Sequence, residues 1–185
     1  PEAPALRLSR AAVAASTWTD RMSVPSDIAA ARAAIQGRMA KAAAEAGRTP
    51  ESITLIAVSK QQPDDRVEAM LVTGQRVFGE NYVQEAQAKW PDLRAQFSGV
   101  DLHMIGPLQT NKAREAVALF DAIDTVDRER LVRVLADEIQ RAGRSPQLLV
   151  QVNTGEEPQK AGAAPKEVDA LVKVCRETFG LTVAG

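Results

Sequence analysis

The sequence predicts an α/β fold in which helices cover a parallel sheet. The first observation is an almost unbroken apolar run over residues 53–60, ITLIAVSK, typical of a strand buried on both faces. The second is that further apolar segments of strand length recur, separated by helical patterns of about 10–15 residues. The third is that polar side chains follow most of these segments. Because the carboxyl ends of parallel strands meet at one edge, we expect those side chains to share a site.

The composition and net charge of the chain limit the classes of protein to which it can belong. The chain has 185 residues, of which 45% are hydrophobic and 25% charged, and this is enough for one core, so we expect one domain. Its net charge is −1 with basic residues spread along the chain, so neither nucleic acid nor an anionic membrane is an expected partner. No apolar stretch approaches the roughly 18 residues of a membrane span. The single cysteine, Cys175, fits a reducing compartment, so we expect a cytoplasmic protein.

The first 25 residues are predicted to be a disordered or extraneous extension, and the folded domain to span residues 26–185. The alanine-rich run at 11–15 is shorter than the apolar core of a secretory signal, while arginines with few acidic residues leave a transit peptide as an alternative. Met22 stands just before the first helix signal, so residues 1–21 are interpreted as upstream sequence. An intact mass beginning near Met22 would support this.

The remaining sequence alternates between helical and strand patterns. A helix is expected first, between Ser26 and Gly47, because Ser26 can cap its start and glycine favours its end. Pro91 is expected to end the helix that starts at Asn81. Six strands are predicted, against the eight of a closed β/α barrel, at 53–60, 76–80, 102–105, 122–126, 148–152 and 181–184. Helical patterns lie between them at 63–74, 81–90, 110–120, 131–143 and 165–180.

Three polar residues stand out before any family is considered. Lys60 ends the first strand, where a neutral amine could attack a carbonyl carbon; we expect burial to favour that neutral form. The alternative is a lysine that simply reaches solvent. Asn81 follows the second strand and could equally be a helix cap. His103, the only histidine, is more often a hydrogen-bonded strand residue, and no cysteine pair or carboxylate cluster suggests a metal site.

Three motifs carry a resemblance to a known family. They are AVSK at 57–60, FGENYVQE at 78–85 and HMIGPLQTNK at 103–112, and they closely resemble the pyridoxal phosphate homeostasis protein family. The resemblance continues through 153–162 and covers the chain from about residue 28 to its last residue. That family is similar to the N-terminal barrel of alanine racemase. The resemblance therefore implies a TIM-type (β/α) barrel, with about six of eight strands present and an extra N-terminal helix.

The resemblance also implies a cofactor and the residues that hold it. Pyridoxal 5'-phosphate (PLP) would be bound as a Schiff base on Lys60. Asn81 and His103 would line the cofactor ring, Asn153 a neighbouring edge, and Lys160 would be a second amine near the site. Where the family often has another lysine, this sequence has glutamine at position 62, so no auxiliary role is carried over there.

The implied function is intracellular PLP homeostasis without turnover, so no catalytic residues are assigned. Apo PLP enzymes are the expected recipients, and a monomer is expected for the full family barrel. The alternative is a PLP-dependent racemase or decarboxylase, which would need a second domain with a tyrosine or cysteine acid-base group; the only tyrosine, Tyr82, lies on a helix. A third class, an aldolase-type barrel using Lys60 on a sugar carbonyl, would lack the asparagine- and glutamine-rich motifs.

The family resemblance extends past the last residue of this sequence. The family continues with a helix, a loop containing serine and glycine, and a strand containing arginine and glycine. In such barrels, the loops after strands seven and eight commonly form the phosphate cup. We therefore expect a fragment, incomplete at its C-terminus, whose first and sixth strands have open edges.

Overall fold

The computed structural model describes residues 26–185 and divides them into two compact units. The first unit contains residues 26–54 and 63–75, and the second contains residues 55–62 and 76–185. The predicted extension over residues 1–25 lies outside the described residues.

The first unit is helical. Helix α1 spans Ser26–Glu45, a 3-10 turn spans Pro50–Ser52, and helix α2 spans Asp64–Val72. The Arg32 guanidinium donates to the Thr73 carbonyl oxygen at 2.8 Å, which joins α1 to the C-terminal end of α2. The helix expected before the first strand is thus confirmed.

The second unit is a parallel sheet whose strands are connected mainly by helices. The strands are β1 (Ala57–Val58), β2 (Val77–Glu80), β3 (Asp101–Met104), β4 (Ala122–Val126) and β5 (Gln147–Val150). The helices are α3 (Val83–Gln96), α4 (Ala113–Leu119), α5 (Glu129–Ala142) and α6 (Val168–Lys173), the last running into a π-helical turn at Val174–Thr178. Each strand pairs in parallel with the next one in the chain, in the order β1 to β5. The predicted α/β class is confirmed.

The two faces of the sheet carry different side chains. On the helix-covered face Phe78 packs against Trp90 of α3, with ring centroids 4.9 Å apart. Because side chains alternate along a strand, Gly79 belongs to the opposite face. There Ile56 and Ile105 lie over Gly79, where an added Cβ would come within 2.7 Å of Ile105 Cδ1. Aliphatic side chains therefore fill the second face of the sheet around Gly79.

The first and sixth predicted strands differ from expectation. Only Ala57–Val58 of the 53–60 run forms β1, and Val58 is 52% exposed, so the expected burial on both faces is wrong. The reason is that β1 pairs only with β2 within residues 26–185, so its other edge has no neighbouring strand there. The predicted sixth strand makes one bridge, Leu148 to Val183, and the Ala184 amide donates to Leu148 at 2.8 Å. This segment lies parallel to β5, but the pairing is too short to count as a strand, so the sheet of residues 26–185 has five strands.

Pro91 does not end its helix, contrary to expectation. Helix α3 continues through it to Gln96. Proline removes the hydrogen bond to the carbonyl four residues earlier, at Gln87. Both Gln87 and Pro91 are exposed, so water can hydrate that carbonyl and the helix tolerates the loss.

Candidate functional site

Lys60 lies just past the carboxyl end of β1, as predicted. Its side chain is exposed, and within residues 26–185 its amine has no hydrogen bond or ion pair. The expected burial of this amine is therefore wrong. The residue before it, Ser59, is 3% exposed and donates its amide to Gly79 O at 3.0 Å, so β-type pairing continues up to Lys60. The structure thus presents a solvent-accessible amine from a firmly paired backbone.

Asn81 follows β2 directly and is held by a glycine of the third motif. A Cβ on Gly106 would lie 2.3 Å from the Asn81 carbonyl oxygen, so only glycine allows this approach. Thr125 Oγ1 donates to the Gly106 carbonyl oxygen at 2.8 Å and holds the loop from the other side. The alternative role of Asn81 as a helix cap is wrong, because Tyr82 occupies the N-cap position and no side chain caps that helix.

His103 lies in β3 between two carboxylates and is 9% exposed. Its Nδ1 is 3.0 Å from Asp124 Oδ2, and its Nε2 is 3.6 Å from Asp101 Oδ1. The hydrogen bond to Asp124 is the main reason why the pKa of His103 is raised above its ordinary value of 6.5; burial opposes this shift, and Asp101 adds to it. The two carboxylates therefore favour the imidazolium form more than water does.

Neither aspartate was identified from the sequence. One signal was available for Asp124, which is the charged residue in the mainly apolar strand AIDTV. A carboxylate within a buried strand is expected to have a hydrogen-bonding or charged partner, because burying it unpaired costs free energy. Nothing in the sequence alone pointed to His103 as that partner.

Asn153 and Lys160 belong to one loop after β5. The Asn153 side-chain amide donates to the Glu157 carbonyl oxygen at 2.8 Å, so it closes the loop on itself. The Lys160 amine pairs with Glu157 Oε1 at 2.5 Å; the lysine side chain is 62% exposed and the glutamate side chain 42%. The close approach of Gly162 to the Asn153 amide nitrogen, where a Cβ would lie at 2.6 Å, completes the turn.

This loop borders a cavity of about 400 Å³. Its lining includes Gln151, Asn153 and Lys160. The Gln151 side-chain oxygen is buried and has no hydrogen-bond partner among the described residues. The cavity therefore offers an unused acceptor next to an amine.

Sequence reasoning missed a buried charge cluster on the helix-covered face. Glu80 is fully buried, and its Oε1 accepts from Ser59 Oγ at 2.8 Å, Trp90 Nε1 at 3.1 Å and Lys89 Nζ at 3.2 Å. A glutamate at the end of a strand and a lysine on a helix are usually read as solvated residues. Only the folded structure brings them together.

Neither a metal-binding cluster nor a membrane-spanning helix is present in residues 26–185. No group of three or more histidine, cysteine, aspartate or glutamate side chains in this range could hold a metal ion. No helix in the same range is long and apolar enough to cross a membrane.

Comparison with known sequences gives consistent matches. The family model described as alanine racemase, N-terminal domain, matches residues 31–185. The pyridoxal phosphate homeostasis protein of Escherichia coli K12 is 40% identical over 162 residues, which is 86% of this chain and 68% of that protein. The protein of the same name from Pseudomonas aeruginosa is 36% identical over 161 residues, 86% of this chain and 69% of its own.

The chain is also similar to solved structures. PipY of Synechococcus elongatus, without PLP, is 37% identical with a TM-score of 0.68 and covers 80% of this chain and 68% of its own. The same protein with PLP bound gives a TM-score of 0.66 at 35% identity, over 80% and 68% of the two chains. Alanine racemase from E. faecalis, at 15% identity and a TM-score of 0.56 over 81% of this chain and 40% of its own, shares the fold alone. These matches confirm the predicted barrel-type α/β fold. The chain belongs to the alanine racemase N-terminal domain family and, within it, to the pyridoxal phosphate homeostasis proteins.

Proposed function

We propose that this chain binds pyridoxal 5'-phosphate, attaches it through Lys60, and serves intracellular PLP homeostasis. The observation that carries the proposal is the exposed Lys60 amine at the carboxyl end of β1, which has no partner within the described part of the chain. It occurs in a family with a member, PipY, that has a solved structure with PLP bound. An amine that is not held in a salt bridge can react without first separating from an ionic partner.

The residues present suit this cofactor. When bound, PLP supplies an aldehyde that condenses with a primary amine and releases water. Lys60 offers that amine, and its exposure leaves it accessible to the aldehyde. Asn81 has a side-chain amide with no hydrogen bond within residues 26–185, so both its donor and its acceptor are open to a polar ring.

His103 would contribute to the wall behind the cofactor ring. Asp124 holds its Nδ1 and fixes the plane of the imidazole, so a ligand meets a ring of set orientation. The carboxylates of Asp124 and Asp101 balance its charge. In this proposal His103 orients the ligand and transfers no proton.

The loop after β5 would form a further edge of the site. Asn153 gives this loop its shape through its own hydrogen bonds, and Lys160 would act as a second amine after leaving Glu157. Because that ion pair is exposed, breaking it costs about 1 kcal/mol or less. Gln151 adds an unused buried acceptor at the same cavity.

The wider assignments belong to the same proposal. We propose that residues 26–185 form one cofactor-binding domain, that the protein catalyses no turnover, and that apo PLP enzymes receive the cofactor. We also propose a monomer in the cytoplasm, where the chain's only cysteine stays reduced.

The test is labelling with PLP followed by borohydride reduction and peptide mass mapping. We expect a visible absorbance band and reduced cofactor on Lys60. Lys60→Ala should lose both, while Lys166→Ala, which removes another exposed lysine, should keep both. Equal labelling of Lys60→Ala and the native protein would overturn the proposal.

A further inference from the structure

A buried charge cluster contacts both residues that flank Lys60. The cluster consists of Glu80, Glu85, Lys89 and Trp90, and we call it the Lys89 cluster. Its central charges are almost completely removed from water: Glu80 is 0% exposed and Lys89 is 7% exposed. Removing two charges from water carries a large desolvation cost, so a buried ion pair next to the proposed attachment lysine requires an explanation.

Lys89 is saturated by its partners. Its ammonium donates to the Ser59 carbonyl oxygen at 3.0 Å, to Glu80 Oε1 at 3.2 Å and to Glu85 Oε1 at 3.3 Å. An ammonium group has three protons, and all three are used. Lys89 is therefore not a competing nucleophile, although it lies close to the backbone next to Lys60.

The cluster fixes the residue before Lys60. The Ser59 carbonyl oxygen accepts a hydrogen bond from the Lys89 ammonium, and the Ser59 hydroxyl donates one to Glu80 Oε1 at 2.8 Å. Its amide is already paired with β2. All three hydrogen-bonding groups of this residue are thus occupied, and the chain enters Lys60 in one orientation.

The cluster also fixes the residue after Lys60. Gln61 has a φ of 56°, a left-handed conformation that residues other than glycine seldom adopt. Its amide donates to Glu85 Oε1, the same oxygen that accepts from Lys89. Both ends of the Lys60 turn are therefore tied to helix α3.

We propose that the Lys89 cluster positions Lys60, with Glu85 as the residue that holds the turn in its left-handed conformation. The inference rests on the proposed function, because it takes Lys60 as the attachment point. Within residues 26–185 the Lys60 side chain makes no hydrogen bond or ion pair with a member of the cluster, so the proposed effect acts through the backbone. A turn held in advance reduces the conformational freedom that the amine must lose when it reaches the aldehyde.

Glu85 offers a cleaner test than Lys89, whose removal would leave Glu80 buried without a counter-charge. In Glu85→Ala we expect the rate of Lys60 labelling by PLP and cyanoborohydride to fall roughly five- to tenfold, the loss expected for one hydrogen bond. Glu85→Gln keeps an acceptor oxygen and should stay within about twofold of the native rate. The matched control is Gln84→Ala, an exposed neighbour on the same helix, which should label at the native rate.

Two further measurements separate positioning from general damage. All three variants should melt within about 4 °C of the native protein. Amide hydrogen exchange at Gln61 should be slow in the native protein and fast in Glu85→Ala only. If Lys60 of the native protein acquires no PLP label, both the proposed function and this inference are refuted. Native labelling that Glu85→Ala leaves unchanged, or a Gln61 amide that exchanges fast in every variant, would overturn this inference alone.

Discussion

Gly106→Ala is the sharpest test of how the site is built. The added methyl group would lie 2.3 Å from the Asn81 carbonyl oxygen, 2.6 Å from its Cα and 2.8 Å from its carbonyl carbon. Ordinary contacts between such atoms are about 3.5 Å, so a separation of roughly 1 Å must be made up. All three atoms are backbone, so no side chain can rotate away. Overpacking of this kind costs about 1–3 kcal/mol.

The predicted change has two consequences. The denaturation midpoint should fall by several degrees, because about 1 kcal/mol shifts the melting temperature by about 2–4 °C in a chain of this size. Asn81 should also move away from β3, since the Thr125 hydroxyl holds the other side of the loop in place. Thermal unfolding followed by circular dichroism measures the first, and the rate of Lys60 labelling by PLP measures the second.

Gly37→Ala is the matched control for this substitution. Gly37 lies in helix α1, and a Cβ there would have no atom within 4 Å. Alanine is favoured over glycine inside a helix, so this change should raise stability by about 0.5–1 kcal/mol. If Gly106→Ala were as stable as the native protein and labelled Lys60 at the native rate, the inferred contact with Asn81 would be wrong.

Three further predictions concern charged side chains. The pKa of His103 is raised above its ordinary 6.5, so its ion pair with Asp124 stabilises the fold fully below about pH 6.5 and is lost as pH rises through the folded-state pKa. Asp124→Asn should bring that pKa down, which proton NMR of the single histidine can follow; an unchanged titration would contradict this. Glu80→Gln should destabilise the protein by about 3–5 kcal/mol, because it leaves Lys89 charged and buried without its main counter-ion; a urea midpoint equal to the native one would refute it. Asp121→Asn removes a carboxylate shared by two arginines and should cost about 1 kcal/mol or less, because the group is partly exposed; a larger loss in the same urea titration would show that the pair is better shielded than its exposure indicates.

The topology of the site was predictable because it follows from chain connectivity. Parallel strands joined by helices must end at the same edge, so residues placed just after strands, such as Lys60 and Asn81, were expected there before the structure was known. Apolar runs flanked by helix signals also located β2 to β5. These features depend on local patterns, which a sequence carries directly.

The features that sequence reasoning got wrong or missed depend on contacts between parts of the chain that are distant in sequence. Val58 was expected to be buried because its neighbours are apolar, but periodicity does not tell which strand lies at an edge. Lys89 was not selected because a lysine on a helix usually faces water. Its burial depends on Glu80, nine residues earlier and on another element, and no local pattern encodes that meeting.

The order of the sheet has a consequence for how the protein is made. Among residues 26–185 every ladder joins two strands that are consecutive in the chain, and no strand there is inserted between earlier ones. During synthesis each new strand can therefore pair as soon as it and its preceding helix have left the ribosome, without waiting for distant segments. Such short loop closures favour fast assembly compared with sheets that pair remote strands. The growing edge of the sheet is then always its most recently made strand, and this edge is the surface that needs protection from aggregation until the next strand arrives.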